Sequence, residues 1–147
     1  MQLVKEVAVT KIETGKSAMA SDPIKAVRAI FSAYVDKNRA AIEQIIAEDF
    51  HFSSPRDNRI DRKTYFARCW PLSENVADFK LVYVANDGER VFVTYEGLNK
   101  AGHRFRNTEV WSFRDGKLTE AEVYFGWSLP HEAPLGGFTN TPTGHAS

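Results

Sequence analysis

The spacing of apolar residues changes along this chain, from a helical repeat to a strand repeat. Between residues 23 and 70, apolar side chains recur three or four positions apart, which is the spacing of one helix face. From residue 78 onward they alternate with polar residues, as in strands that bury one face. The pattern therefore predicts an α+β fold in which N-terminal helices pack on one face of a later antiparallel sheet.

Three helices are predicted in the first half of the chain. Asp22 and Asp61 are candidate caps for the first and third helices, because a carboxylate accepts hydrogen bonds from the first helical N–H groups. Pro23 suits the first helical position, and Pro71 stops the third helix. The predicted helices span residues 23–37, 39–47 and 62–70, with a short strand at 50–52 and a loop at 56–59 before the third.

Four long strands are predicted in the second half, joined by turn sequences such as Asn86-Asp87-Gly88 and Asp115-Gly116. They span residues 78–85, 90–98, 103–114 and 117–127. A length of 147 residues fits one domain, which we place at residues 22–129. Residues 1–21 are interpreted as an N-terminal extension that could add an edge strand, and residues 130–147 as an irregular C-terminal tail.

The composition narrows the function classes. Nineteen basic residues balance nineteen acidic ones, so no general attraction to nucleic acid or an anionic membrane is expected. The single cysteine, Cys69, argues against a disulfide or a cysteine-rich zinc site, and no metal-binding or phosphate-binding motif predicts a cofactor. The first twenty residues mix charges with small residues, unlike a signal peptide, and no apolar run is long enough to span a membrane, so we expect a cytoplasmic protein.

Three segments carry a resemblance to a known family. They are the run 47–50 leading to Ser54-Pro55, the aromatic third helix through Tyr65, and the run from Trp111 to Leu118. With the order of elements, they resemble the nuclear transport factor 2-like (NTF2-like) superfamily, which includes ketosteroid isomerase, and its SnoaL-like branch, named after a polyketide cyclase. The resemblance covers residues 22–127. It implies a cone-shaped fold with three helices on a curved, mostly antiparallel sheet, an apolar pocket at one end, and homodimers formed through the sheet.

One predicted strand places polar residues inside an apolar stripe. Alternation puts Asn107 and Glu109 on the same face as Phe105, Trp111 and Phe113. A buried carboxyl needs a hydrogen-bonding partner or stays protonated. The resemblance places Glu109 where ketosteroid isomerase has a neutral acid that donates to the substrate oxygen. It implies that Glu109 is catalytic and that Asn107 orients it.

A structural role for Glu109 is the alternative. In that interpretation its carboxyl bonds to a helix backbone or to a side chain such as Tyr34 or Tyr65. The outward face of the same strand, with Arg104, Arg106, Thr108 and Val110, would then be a dimer interface or an exposed surface.

The other catalytic parts of related enzymes are missing. By the same resemblance, Ser54 stands where ketosteroid isomerase has its aspartate base, and Phe31 stands where it has a tyrosine. Neither residue can supply that chemistry, so steroid isomerisation by the known mechanism is not expected. The Asp–Arg–Asp set of the epoxide-hydrolase branch is also incomplete, because Asn107 replaces the arginine. The inward positions predicted for the last strand carry no acid: Thr119, Ala121, Val123 and Phe125.

Three functions remain open. The first is an isomerase- or cyclase-type acid–base enzyme that acts on an apolar carbonyl compound. The second is a non-catalytic module that binds a small apolar molecule. The third is an interaction or assembly protein whose pocket is filled by its own side chains or by the C-terminal tail. In the first two cases the predicted ligand-binding residues are Phe31, Ser54, Tyr65, Trp70, Trp111 and Phe125.

Overall fold

The computed structural model describes residues 22–140. The predicted extension at residues 1–21 and the end of the predicted tail, residues 141–147, lie outside the described residues. The helices are α1 (Pro23–Val35), α2 (Arg39–Ile45) and α3 (Arg62–Arg68), followed by a 3-10 helix (Trp70–Asn75). The strands are β1 (Ile46–Ser54), β2 (Asp57–Asp61), β3 (Val76–Asp87), β4 (Arg90–Asn99), β5 (Arg104–Arg114) and β6 (Lys117–Leu129).

The six strands form one curved, mixed sheet in the order β2-β1-β6-β5-β4-β3. Strands β1 and β6 run parallel, and the other neighbours are antiparallel. Helix α1 packs on β3 and β4, and α3 packs on β1. The structure confirms the α+β class with three helices on a curved mixed sheet. The chain forms the β1–β2 hairpin before it enters α3.

The helix starts follow the predicted caps. Asp22 Oδ1 accepts hydrogen bonds from the backbone N–H groups of Ile24 (3.1 Å) and Lys25 (3.4 Å). Asp61 Oδ1 accepts from the N–H of Thr64 at 2.8 Å. Each cap satisfies N–H groups that lack a partner within the helix, so these local signals fix where α1 and α3 begin.

Strand β2 replaces the predicted loop at residues 56–59. It pairs with β1 through Phe52 opposite Ile60 and His51 opposite Asp61. Nearly all of its residues are polar, so it shows no apolar alternation from which a strand could be predicted. Its charged side chains suit an edge strand, because they discourage pairing with another chain.

Strand β1 is also longer than predicted, since it begins at Ile46 directly after α2. Ile42, Ile45 and Ile46 share one helical spacing, which led the sequence interpretation to extend the helix to Ala47. In the structure Ile46 lies opposite Leu118 of β6. This pair belongs to the parallel ladder between β1 and β6. The local apolar pattern cannot predict it, because β6 lies far away in the sequence.

Two irregularities shift the register of β6. The first lies between Ser112 and Phe113 of β5, where the Thr119 hydroxyl donates to the Ser112 carbonyl at 3.1 Å. As a result Leu118 is 2% exposed, and the prediction that Thr119 is the first inward position is wrong. The second lies at Gly126, where a Cβ atom would sit 2.1 Å from the Arg106 carbonyl oxygen. Such bulges bend a strand and increase its twist.

The core fills the space between the helices and the concave face of the sheet. It is rich in aromatic rings, and its members are 8% exposed or less. The largest contributions come from Ile30, Phe31, Ile42, Phe50, Tyr65, Phe66, Tyr95, Phe105, Trp111 and Phe113. Among residues 22–140, no helix has both the length and the apolar character needed to cross a membrane.

Candidate ligand-binding site around Glu109

A hydrogen-bonded carboxyl lies on the concave face of the sheet. The Tyr95 hydroxyl donates to Glu109 Oε2 at 2.6 Å, and the Trp111 indole N–H donates to Glu109 Oε1 at 2.8 Å. Trp111 is two residues from Glu109 on β5, and Tyr95 comes from β4, so strand alternation directs all three side chains to one face. Each carboxyl oxygen therefore has one donor from the protein.

Asn107 supports this arrangement from behind Tyr95. It is 2% exposed, and its Nδ2 donates to the Tyr95 hydroxyl oxygen at 3.5 Å. Its Oδ1 accepts from the backbone N–H of Gly126 at 3.2 Å. The bulge at Gly126 thus fixes Asn107, and Asn107 acts on Glu109 through Tyr95.

Burial raises the pKa of Glu109 above the value of an ordinary glutamate. Hydrogen bonds from Tyr95 and Trp111 favour the charged form and lower the pKa, but burial outweighs them. Glu109 nevertheless keeps part of its surface accessible. A carboxyl with a raised pKa that solvent can still reach is suited to accept and return a proton.

The hydroxyl of Tyr34, on α1, is buried and has no hydrogen-bond partner. Burial, and next the negative charge of Glu109, raise the pKa of Tyr34 well above its usual value, so the hydroxyl keeps its proton. The Tyr34 ring lies 5.4 Å from the ring of Trp70. A buried hydroxyl without a hydrogen-bond partner costs free energy of folding. The Tyr34 hydroxyl therefore has the capacity to donate a hydrogen bond to a ligand oxygen.

Cys69 directly follows α3, and the charge of Glu109 also acts on its thiol. Burial, and then the charge of Asp57, raise the pKa of its thiol to about 11. The thiol is therefore protonated at neutral pH and is a poor nucleophile. Cys69 is partly buried and packs against the core.

Five of the six predicted ligand-binding residues fall into two groups, buried and partly accessible. Phe31 stacks on Trp111 with ring centroids 5.4 Å apart and planes 3° apart, and Tyr65 packs between Phe50 and Phe52. Phe31, Tyr65 and Trp111 are thus core residues, and Phe31 holds the indole that donates to Glu109. Trp70 and Phe125 keep part of their surfaces accessible. That these residues contact a ligand stays a prediction.

Ser54 is the last residue of β1, at the turn into β2. Its hydroxyl donates to Asp57 Oδ2 at 2.7 Å and accepts from the Arg56 N–H at 3.0 Å. Arg68 forms an ion pair with the same aspartate. Burial raises the pKa of Asp57, but the hydrogen bonds from Ser54 and Arg68 outweigh it and hold the pKa below its usual value. Ser54 therefore organises this turn.

Sequence reasoning missed one member of the site, Tyr95, and gave another, Tyr34, a different role. Tyr95 shares a strand face with Val91 and Val93, and this alternation was a usable signal for its inward orientation. Its contact with Glu109 depends on the register between β4 and β5, which no local pattern gives. Tyr34 was considered only as a partner of Glu109, and its hydroxyl is instead unsatisfied. In the part of the chain that the structure describes, no group of three or more His, Cys, Asp or Glu residues could hold a metal ion.

The structure is that of a small α+β domain in which helices pack on a curved mixed sheet, and in this chain the sheet carries the hydrogen-bonded Glu109 carboxyl. The SnoaL-like domain family matches residues 27–121, which is more than half of the chain. The chain therefore belongs to the SnoaL-like domain family. No curated protein matches its sequence.

Solved structures share the fold at low sequence identity. A protein from Kribbella flavida is 17% identical with a TM-score of 0.65, and the match covers 73% of this chain and 87% of that one. An NTF2-like protein of unknown function from Burkholderia xenovorans is 23% identical with a TM-score of 0.60, covering 75% and 85%. A candidate SnoaL-like polyketide cyclase from Jannaschia sp. is 13% identical with a TM-score of 0.60, covering 69% and 83%. These similarities establish the fold.

Proposed function

We propose that the concave face around Glu109 binds a small apolar carbonyl compound and moves a proton on it, as an isomerase or a cyclase does. The observation that carries this proposal is the pairing of two groups. The Tyr34 hydroxyl is buried without a partner, and the nearby Glu109 carboxyl has a raised pKa. The Tyr34 hydroxyl is the proposed hydrogen-bond donor to a substrate oxygen, and the Glu109 carboxylate is the proposed base that removes a substrate proton.

The proposed reaction needs only these two groups. Tyr34 donates a hydrogen bond to the carbonyl oxygen, while the Glu109 carboxylate removes a proton from the adjacent carbon. The electron pair of the broken C–H bond forms an enolate, whose oxygen charge Tyr34 stabilises. The protonated Glu109 then returns its proton to the same carbon or, when a C=C bond is conjugated with the enolate, to the far carbon of that bond, so the double bond shifts without net gain or loss of atoms. Tyr95 and Trp111 keep the carboxyl aligned throughout.

Deuterium exchange tests this reaction without knowledge of the natural substrate. Apolar ketones and lactones that bind are incubated with the protein in deuterium oxide, and mass spectrometry measures deuterium gained at carbon. We expect exchange with the wild type and a loss of about 100-fold or more in Glu109→Gln. Glu122→Gln is the matched control, because Glu122 also accepts from a tyrosine hydroxyl, at 2.9 Å, but is on the other side of the sheet from the site. Equal exchange in both variants would contradict the catalytic role.

Non-catalytic binding at the same place is the second candidate. Both oxygens of Glu109 already accept a hydrogen bond from the protein, an arrangement that also suits a structural carboxyl. In this case ligands stabilise the wild type, Tyr34→Phe weakens them, and no bound ketone gains deuterium in the presence of the protein.

We further propose that two copies pair through the outer face of the sheet. Exposed aromatic side chains on this face support the proposal: Tyr83, Phe92, Tyr124 and Trp127. The Thr94 and Thr108 hydroxyls lie between these aromatic side chains and are 2.8 Å apart. Arg104 and Arg106 both form ion pairs with Glu96 on the same face. The predicted interface therefore combines an apolar centre with paired charges. Light scattering is expected to give twice the 16.6 kDa mass for the wild type and a monomer for Tyr124→Lys. A monomeric wild type at micromolar concentration would contradict the pairing.

We infer a cytoplasmic location and a small-molecule partner rather than a nucleic acid. A zero formal net charge gives no general attraction to phosphate backbones, and the single cysteine requires no oxidising compartment. Fractionation of cells that express the chain from its own genome tests the location, and recovery with membranes or outside the cell would contradict it.

A further inference from the structure

A positively charged side chain lies beside the proposed site, at the turn between β1 and β2. The Arg56 guanidinium carbon is 5.8 Å from the centre of the Phe125 ring on β6. Phe125 lies opposite Asn107, two positions along the strand pair from Val123 opposite Glu109. Arg56 therefore reaches from the hairpin to the same sheet face that carries the buried carboxyl.

The Arg56 guanidinium has no ion-pair partner within 4 Å among the described residues, although its charge helps to lower the pKa of neighbouring Asp57. Six ion pairs with Asp or Glu occur among residues 22–140, and Arg56 belongs to none of them. Its neighbour Asp57 is already engaged by the Ser54 hydroxyl and by Arg68. Among the described residues, no carboxylate lies within ion-pair distance of this guanidinium, so a ligand anion could do so.

The turn also fixes where the charge is held. The Arg56 backbone N–H donates to the Ser54 hydroxyl at 3.0 Å, and the Arg59 N–H donates to the Ser53 hydroxyl, also at 3.0 Å. These contacts order the backbone on both sides of the turn, and the Phe125 ring lies within cation–π distance of the guanidinium. A preorganised arginine loses less entropy when it binds an anion than a free surface side chain does.

We propose that Arg56 binds an anionic group, a carboxylate in its simplest form, on the molecule whose carbonyl lies at Glu109. This inference rests on the proposed function and narrows its substrate class. Arg56 contacts the strand pair two positions from Glu109, which is roughly 7 Å along the strand. An apolar keto acid with a spacer between its two polar groups therefore fits this arrangement better than an α-keto acid, in which they are adjacent.

A pair of fluorescent probes isolates the role of the charge. 8-Anilinonaphthalene-1-sulfonate is anionic and apolar, and N-phenyl-1-naphthylamine has the same aromatic body without the sulfonate. Titrations give the Kd of each probe for the wild type, Arg56→Gln and Arg59→Gln. Arg59 is the matched control, because it belongs to the same hairpin but pairs with Glu120 at 2.6 Å. We expect Arg56→Gln to weaken the anionic probe about tenfold and to leave the neutral probe unchanged, with Arg59→Gln like the wild type.

Each other outcome has a defined meaning. Unchanged affinity of the anionic probe in Arg56→Gln overturns the inference, and so does equal weakening of both probes, which would indicate a structural effect. Val123→Phe fills space opposite Glu109 and is expected to weaken both probes if they bind at the proposed site. If the wild type binds neither probe, or if Val123→Phe changes neither, the proposed site itself fails, and the inference fails with it.

Discussion

At the scale of single residues, Glu109 balances two opposing effects. Removing a carboxyl from water favours its neutral form, and donors such as Tyr95 and Trp111 favour its charged form. Burial prevails here, so the folded protein binds this proton more tightly than the unfolded chain does. This difference has a direct consequence for stability as a function of pH.

The first prediction concerns that consequence. A raised pKa in the folded state stabilises the fold fully below the ordinary glutamate pKa of about 4.3, and this contribution is lost as the pH rises through the folded value. The free energy of unfolding of the wild type, minus that of Glu109→Gln, should therefore decrease as the pH rises from 4. Urea unfolding at a series of pH values measures it, with Glu122→Gln as the control. A difference that grows with pH would show that the folded pKa is lowered.

The second prediction contrasts two tyrosine hydroxyls. Tyr95→Phe removes a donor from Glu109, and we expect a loss of about 1–3 kcal/mol in the free energy of unfolding. Tyr34→Phe removes a buried hydroxyl that has no partner, so the free protein should be equally stable or more stable. Denaturant unfolding of both variants measures the contrast. A comparable loss in Tyr34→Phe would mean that its hydroxyl already has a structural partner.

The residue scale also shows what a single sequence can predict about the site. The apolar stripe of β5 was enough to single out Asn107 and Glu109, because strand alternation depends only on local spacing. The donor Tyr95 comes from another strand, and its contact depends on the β4–β5 register. One residue of slip would direct the Tyr95 side chain to the other face of the sheet.

At the scale of secondary structure elements, the bulge in β6 links the fold to the site. Gly126 approaches the Arg106 carbonyl so closely that no Cβ fits, and its N–H holds Asn107 behind Tyr95. The bulge is therefore a structural requirement for the donor to Glu109. No local sequence pattern predicts it, because a glycine within a strand is compatible with a bulge, a bend or neither.

The third prediction tests this bulge. Gly126→Ala places a Cβ against backbone, so we expect a loss of about 2 kcal/mol or more in the free energy of unfolding, together with weaker ligand binding. Gly88→Ala is the control, because Gly88 has a positive φ of 62° but no atom within 4 Å of a Cβ. It should cost only about 1–2 kcal/mol and leave binding intact. Thermal and denaturant unfolding measure both, and a Gly126 variant as stable as the wild type would contradict the close approach.

Elements with strong local signals were predicted well, and those defined by long-range pairing were not. The starts of α1 and α3 follow Asp22 and Asp61, and the strands from β3 to β6 agree with their alternation within a few residues. Strand β2 was missed because its side chains are polar on both faces, and its pairing with β1 decides its conformation. The start of β1 was assigned to a helix because Ile45 and Ile46 fit either period.

At the scale of the whole molecule, the fold and the function rest on different evidence. Family membership and the solved structures establish the SnoaL-like fold, but identities of 13–23% do not carry an activity from one protein to another. The proposed function depends instead on how the fold brings α1 over the concave face. In that arrangement the Tyr34 hydroxyl has no hydrogen-bond partner, and burial followed by the charge of Glu109 raises its pKa.

The most direct test of the central claim is a thermal-shift screen of apolar carbonyl compounds, run in parallel on the wild type, Glu109→Gln, Tyr34→Phe and Glu122→Gln. A ligand at one hundred times its Kd stabilises a fold by about 2.7 kcal/mol, which raises Tm by a readable amount. The account predicts ligands that stabilise the wild type and Glu122→Gln and lose most of their effect in the other two variants. Ligands that stabilise all four proteins equally, or a complete absence of stabilising ligands, would contradict a binding site formed by Glu109 and Tyr34.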